Sequence, residues 1–233
     1  MTQSHQLELT VQRQQDDTTC GPTCLEAIYR YHGRELDLEQ IAAEVETLPG
    51  GGTMAVWLAC HALQHGFEAE IFTYNLHLFD PTWFDAGADL SERLKAQCRY
   101  KRDLKLLHAT EGYLEFLRLG GHMRFQELNA RLLRRFLKRE QPILTGLSAT
   151  YLYSCAREHA NEYDDLRGEP TGHFVVLRGY DKVAREVSIA DPLLGNPRFG
   201  AQYYSVNIDR LLGAILLGVL THDANLLVIK PKD

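Results

Sequence analysis

No apolar run in this 233-residue chain approaches the length that a membrane-spanning helix needs. The longest, Leu211 to Leu220, is about ten residues and reads as core, so no membrane span is expected. The first residues, Met1-Thr2-Gln3-Ser4-His5-Gln6, lack the basic and apolar regions of a secretory signal, and none is expected. A basic surplus is missing too: the formal net charge is −6, which argues against nucleic acid as a partner. Cysteines number five, an odd set without a disulfide-like framework, so reduced thiols and a cytoplasmic setting are expected. Internal repeats and low-complexity segments are absent. With 45% hydrophobic and 24% charged residues the chain has an ordinary globular make-up. Its length suits a single domain over 1–233 that buries about three-quarters of its unfolded surface.

What is present is ordered as helices, then strands. Residues 7–13 alternate apolar and polar like a short strand. Cys20 to His32 carries Cys24, Leu25, Ile28 and Tyr31 at helical spacing, with Pro22 in the first turn and Gly33 as the stop. Asp37 to Val45 reads as a helix capped by Asp37, and Met54 to His65 as one capped by Thr53 after the loop Pro49-Gly50-Gly51-Gly52-Thr53. Phe67 to Tyr74 reads as a strand. Residues 79–138 are expected to form a helical insertion, with helices over Leu90–Leu107 and Phe125–Lys138. Strands are then expected at Pro142–Leu147, His173–Gly179, Val187–Ala190, Gln202–Val206 and Leu226–Ile229. This order indicates an α+β class.

The chemistry-bearing residues lie in three places. Gln14 stands six residues before Cys20 in Gln14-Gln15-Asp16-Asp17-Thr18-Thr19-Cys20-Gly21-Pro22-Thr23-Cys24-Leu25. Gly172-His173-Phe174-Val175-Val176 and Ala190-Asp191-Pro192 follow. A thiol, an imidazole, a carboxylate and an extra amide donor are the parts that acyl transfer through a thiolate requires. The ordered pattern Q-x5-C-G-P-x-C-L, G-H-F-V-V-L-x-G-Y-D and A-D-P resembles the papain-like cysteine peptidases of the bacteriocin-processing, double-glycine leader peptidase family, in particular its stand-alone members without a transporter. The resemblance spans roughly residues 10–75 and 140–210. It implies a papain-like α+β fold whose nucleophile heads a helix packed on an antiparallel sheet, a peptide or protein substrate, and no cofactor.

The residues support the same roles. A helix N-terminus and a nearby imidazolium both favour a thiolate, and Cys20 opens its helix. Gly21 keeps bulk away from a substrate carbonyl. His173 is the expected base and Asp191, 18 residues later across an antiparallel hairpin, its orienting carboxylate, with Asp181 as the alternative. Gln14 is the expected oxyanion donor and Gln15 its rival. Cys24, one turn after Cys20, reads as a packing residue. The Cys20/Cys24 spacing fits zinc but lacks a second ligand pair at finger distance, so no metal is expected. Glu158, Glu162, Asp164, Asp165 and Glu169 form an acidic segment that reads as a solvated loop or as a lid selecting basic substrates. Leu119-Gly120-Gly121 looks like a double-glycine cleavage site but is ordinary turn chemistry. The expected activity is hydrolysis of a peptide or amide bond through a Cys20–His173–Asp191 triad. Acyl transfer from the same thioester and a catalytically silent peptide-binding domain are the alternatives.

Overall fold

In the computed structural model, which describes residues 3–48, 51–85 and 88–232, helices come first and most strands later, as an α+β class requires. Pro49 and Gly50 of the expected loop, Ala86 and Gly87 of the expected insertion, and Met1, Thr2 and Asp233 of the expected 1–233 domain lie outside the described residues. The elements run β1 (Ser4–Gln6), α1 (Cys20–Tyr31), α2 (Leu38–Glu44), α3 (Ala55–Gln64), β2 (Phe67–Thr73), α4 (Leu90–Gln97), α5 (Leu104–Arg118), β3 (His122–Arg124) and α6 (Ala130–Leu137). They continue with β4 (Ile143–Ser148), α7 (Ala149–Tyr153), β5 (Glu158–His159), β6 (Glu162–Tyr163), β7 (Gly172–Asp181), β8 (Glu186–Ala190), β9 (Tyr203–Asn207), α8 (Ile208–Leu217) and β10 (Asn225–Pro231).

One sheet in the order β3-β2-β10-β4-β7-β8-β9 forms the middle layer, with β1 added onto β7. Every pairing in it is antiparallel except β2 with β3. The apolar strands bury both faces, and their period-2 alternation sorts side chains between two cores. On β10, Leu227 and Ile229 join a core with α1, α3 and α5, whereas Leu226 and Val228 join one with α6, α7 and α8.

Several expectations change in detail. Residues 7–13 do alternate, with Leu7, Leu9 and Val11 buried, but they form no ladder. Their backbone groups bond instead to scattered partners: Leu7 N–H to Arg178 O, Val11 N–H to the Tyr203 hydroxyl, and Leu9 O to the Arg178 guanidinium. The helix expected over Leu90–Leu107 breaks between α4 and α5, because Asp103 accepts from Leu106 N–H at 2.8 Å and starts a new helix there. Asn129 likewise caps α6, which begins later than Phe125. Asp37 occupies the N-cap of α2 without a side-chain bond. Thr53 does not cap α3; its hydroxyl donates to Glu46 O at 2.6 Å. Gly121 is buried, with the Phe116 ring filling the space a Cβ would take, so the Gly-Gly pair belongs to the α5–β3 packing.

Gly21 marks how closely α1 seats on its neighbours. A Cβ there would lie 2.9 Å from Thr53 Cγ2, 3.2 Å from Leu58 Cδ1 and 3.3 Å from Phe174 Cδ2. The missing side chain thus lets the head of α1 wedge between α3 and β7, and it is packing that requires glycine here. Gly21→Ala is expected to destabilise the fold by about 1–3 kcal/mol through overpacking. Urea unfolding measures this, and an unchanged midpoint would show that Thr53 and Leu58 simply give way.

Candidate active site

The loop before α1 is held by its own polar groups. Thr19 Oγ1 accepts from the N–H groups of Gln15 and Asp16, both at 3.1 Å, and the Asp16 carboxylate accepts from Thr18 N–H at 2.8 Å. Thr19 occupies the N-cap position but makes no side-chain cap bond. The first-turn N–H groups of Cys20 and Gly21 therefore have neither a capping side chain nor an intrahelical acceptor, and they carry the positive end of the helix dipole. Cys20 is buried at that head, 8% exposed. Cys24, fully buried one turn on, donates its thiol to Phe174 O at 3.3 Å; burial first, then the nearby Cys20 and Asp191, pushes its pKa up.

His173 is the second residue of β7, buried at 7% exposure, and Asp191 immediately follows β8. The antiparallel β7–β8 pairing brings them together: His173 Nε2 meets Asp191 Oδ1 at 2.8 Å. With Nε2 engaged by Asp191, Nδ1 is the ring nitrogen left for Cys20, which is near enough to favour the charged ring. Asp191 is fully buried and its acceptor sites are full. Oδ1 also accepts from Leu193 N–H at 2.9 Å, and Oδ2 accepts from the Tyr153 and Tyr204 hydroxyls, each at 2.7 Å. Burial alone would raise the Asp191 pKa, but the His173 charge and these donors hold it below the usual carboxylate range. Burial works equally against the imidazolium, yet Asp191 and the Cys20 contact push His173 up to about 10.

Other candidates separate by position. Asp181 ends β7, at the opposite end of the strand from His173, and accepts from Val183 and Ala184 N–H in the turn that follows. Gln14 is buried and Gln15 exposed. The Gln14 N–H donates to Pro192 O at 3.0 Å, strapping this segment to the residue after Asp191. Its side-chain amide donates one hydrogen to Asp16 O at 2.8 Å, leaving the second free, while Oε1 is buried without a partner.

Cys20 and His173 line a cavity of about 520 Å³ together with Asp17, Thr18, Thr53, Gly172 and Phe174. Gln14 is not among its lining residues. Among the described residues of the 79–138 segment only Lys105 reaches it, whereas Glu158, Asn161 and Glu169 of the acidic segment line it directly. A larger cavity of about 1000 Å³, lined by Arg131, Arg134, Arg135 and Lys138, shares no residue with it and holds neither a thiol nor an imidazole.

Residues 8–85 match the model of the Peptidase C39 family. The match bears out the resemblance read from the sequence, and with it the reading of the chain as a cysteine peptidase of papain-like α+β class. The matched stretch includes Gln14 and Cys20 but ends before His173 and Asp191. Among solved structures, the chain is similar to a double glycine motif protease from an AMS/PCAT transporter in complex with the leader peptide. That likeness is 14% identical with a TM-score of 0.47, over 98% of this chain and 95% of that one. A putative C39-like peptidase from Bacillus anthracis matches at 14% identity and a TM-score of 0.46, over 100% of both chains. Xylellain, a cysteine protease from Xylella fastidiosa, matches at 13% identity and a TM-score of 0.47, over 100% of this chain and 87% of that one. No curated protein matches the chain. Among the described residues, no helix is long and apolar enough to cross a membrane.

Sequence reasoning missed Tyr153 and Tyr204, because nothing local marks a tyrosine as a carboxylate ligand. It also missed Asp223, a buried residue on the cavity wall that follows a turn after α8. Its carboxylate accepts from Ala55 N–H at 3.1 Å, so it caps α3 in place of Thr53, and from the Asn225 amide at 3.0 Å. Burial, which these two neutral donors only partly offset, pushes Asp223 up to about 7. A raised carboxyl pKa means that the native state holds this proton more tightly than the unfolded chain. The stability from this group is therefore full below about pH 4 and is lost as pH rises toward 7. Asp223→Asn keeps the cap acceptor and removes the ionisation. In urea unfolding, the variant is expected to gain on the wild type by roughly 2–4 kcal/mol between pH 4 and pH 8. A difference that stays constant with pH would mean that the carboxylate ionises freely.

Proposed function

We propose that the chain hydrolyses a peptide or amide bond with Cys20 as nucleophile, His173 as general base and acid, and Asp191 as the group that orients and charges the imidazole. The observation that carries this reading is that one cavity is lined by a thiol at a helix head and by an imidazole held by a carboxylate with four donors. The Cys20 thiolate attacks the carbonyl carbon, and the displaced electron pair moves to oxygen. The Cys20 N–H, at the positive end of α1, receives that oxyanion, and the Gln14 amide, which does not line the cavity, joins it by turning its second hydrogen inward. His173 passes its proton to the leaving amine as the C–N bond breaks, leaving a thioester. Water then attacks with His173 taking its proton, the C–S bond breaks, and the acid leaves. Asp191 accepts four hydrogen bonds and has no site left for a proton, so it holds the ring rather than relaying charge.

The cavity's size suits a short peptide segment threaded past Cys20, and the acidic wall of Asp17, Glu158 and Glu169 favours substrates with basic or amine groups. The chemistry requires no metal or cofactor.

Alkylation by iodoacetamide, located by mass spectrometry, tests the arrangement. Cys20 is expected to label faster than Cys60 or Cys98, because the charged His173 beside it favours attack by sulfur. In His173→Ala the neutral-pH rate should fall about tenfold or more and climb with pH as an unassisted thiol ionises. Equal labelling of Cys20 and Cys98, or no effect of His173→Ala, removes the nucleophile–base pair and leaves a peptide-binding domain as the better account.

A further inference from the structure

Away from the cavity, three side chains converge with the chemistry of a metal centre. His61 on α3 and His65 just after it stand four residues apart on one helix face, and Glu44 ends α2 alongside them. Their ligand atoms all lie within 4.8 Å of one another. Glu44 Oε2 is 3.1 Å from His61 Nε2 and 3.0 Å from His65 Nε2. The two imidazoles stack with centroids 4.1 Å apart and planes 17° from parallel, which aims both Nε2 atoms at one carboxylate oxygen. With zinc–nitrogen bonds of about 2.0–2.1 Å, the edge of a tetrahedral ligand set is roughly 3.3 Å. The two separations between Glu44 and the histidines are within a few tenths of that.

The surroundings are built in the way that metal ligands are held. The far nitrogen of His61, Nδ1, is 2.7 Å from the Tyr29 hydroxyl, and the ring is buried at 2% exposure. The other oxygen of Glu44, Oε1, accepts from the Gln40 amide at 2.8 Å. Each of these outer partners fixes one ligand and turns its remaining donor atom toward the shared point. The Glu44 side chain is 42% exposed, which leaves an approach for an ion and room for water as a fourth ligand.

We propose that Glu44, His61 and His65 form a binding site for a divalent transition-metal ion of the zinc type, which prefers imidazole and carboxylate together. In the metal-free chain the two Nε2–H groups donate to Glu44. On binding, each neutral imidazole shifts its proton to Nδ1, where His61 donates to the Tyr29 oxygen, and both Nε2 lone pairs go to the metal. The site clasps the end of α2 to the end of α3. Between these lie Leu48, Gly51, Gly52 and Thr53, which line the Cys20 cavity, so the ion fixes a wall of the cleft from about 15 Å away along α3. The sequence carries the corresponding signal, His61-x3-His65 on a helix, away from the Cys20/Cys24 spacing on which zinc was discounted.

The test uses the full chain carrying Cys20→Ala, which removes the thiol beside His173 as a competing ligand. It is titrated with cobalt(II) alone and then with zinc(II) alone. One equivalent of cobalt is expected to give the visible bands of a low-coordinate nitrogen and oxygen site without a thiolate charge-transfer band. Zinc should displace the cobalt and raise Tm. Because His61 is buried, the variants are the more exposed Glu44→Gln and His65→Ala, checked for folding by circular dichroism. Each should weaken cobalt binding at least about tenfold. Anomalous diffraction from zinc-soaked crystals, with the ion beside His61, gives the same answer without a variant. Absent binding, a thiolate band, affinity unchanged in both variants, or an ion located elsewhere would overturn the proposal.

Discussion

The candidate site depends on one buried anion. Taking a carboxylate fully out of water costs several kcal/mol even after the protein relaxes, so Asp191 stays ionised only because its surroundings replace the lost hydration. They do so with donors from four separate parts of the chain: His173 on β7, Tyr153 on α7, Tyr204 on β9 and the Leu193 backbone. The arrangement needs β7, β8 and β9 side by side in register, with α7 folded back from the end of β4. A one-residue slip of β7 would turn His173 to the opposite face of the sheet, so the orientation of the imidazole is a property of the whole sheet.

Asp223 shows what burial does without such help. It is almost as inaccessible as Asp191, but its partners are the Ala55 N–H and the Asn225 amide, both neutral. One carboxyl is therefore held low and the other pushed up to about 7, within one small protein. The difference is the adjacent cation and the number of donors, not depth. Asp223 nonetheless serves the architecture, since it caps the start of α3 and packs against Gly146, where a Cβ would come within 2.7 Å of its own. The start of α3, β4 and the turn before β10 thereby meet at the cavity wall.

How much of this is legible in sequence follows from how local each cause is. Helix α1 announces itself through apolar spacing and the stop at Gly33, whose φ of +73° suits glycine. The strands β4, β7, β8 and β10 show as short apolar runs between turns. Residues 7–13 misled because alternation reports burial, and here burial comes without a ladder: the backbone is satisfied by Tyr203 and Arg178 from distant strands. The break between α4 and α5 hung on one capping aspartate inside a charged stretch. The loop glutamines separate only when burial is known. Tyr153, Tyr204 and Asp223 act across separations of 13 to 168 residues, and no spacing rule reaches that far.

The acidic segment resolves into two kinds of charge. Asp164 is absorbed by its own loop: it pairs with Arg167 at 2.6 Å and accepts the N–H groups of Leu166 and Arg167, while Arg157 donates to Asp165 O. That part is architecture, and it holds the small β5–β6 hairpin in shape. Glu158 and Glu169 differ. Their backbones bridge to each other at the base of the hairpin, and both residues line the cavity. With Asp17 they make the wall beside Cys20 predominantly negative, with Lys105 the one lysine or arginine among its lining residues. A negative wall at this range acts as a field rather than as a contact. Charge of this kind reaches over several ångströms, and salt weakens it. The hairpin thus keeps part of its charge paired within its own loop and brings the rest to the cavity that holds Cys20 and His173.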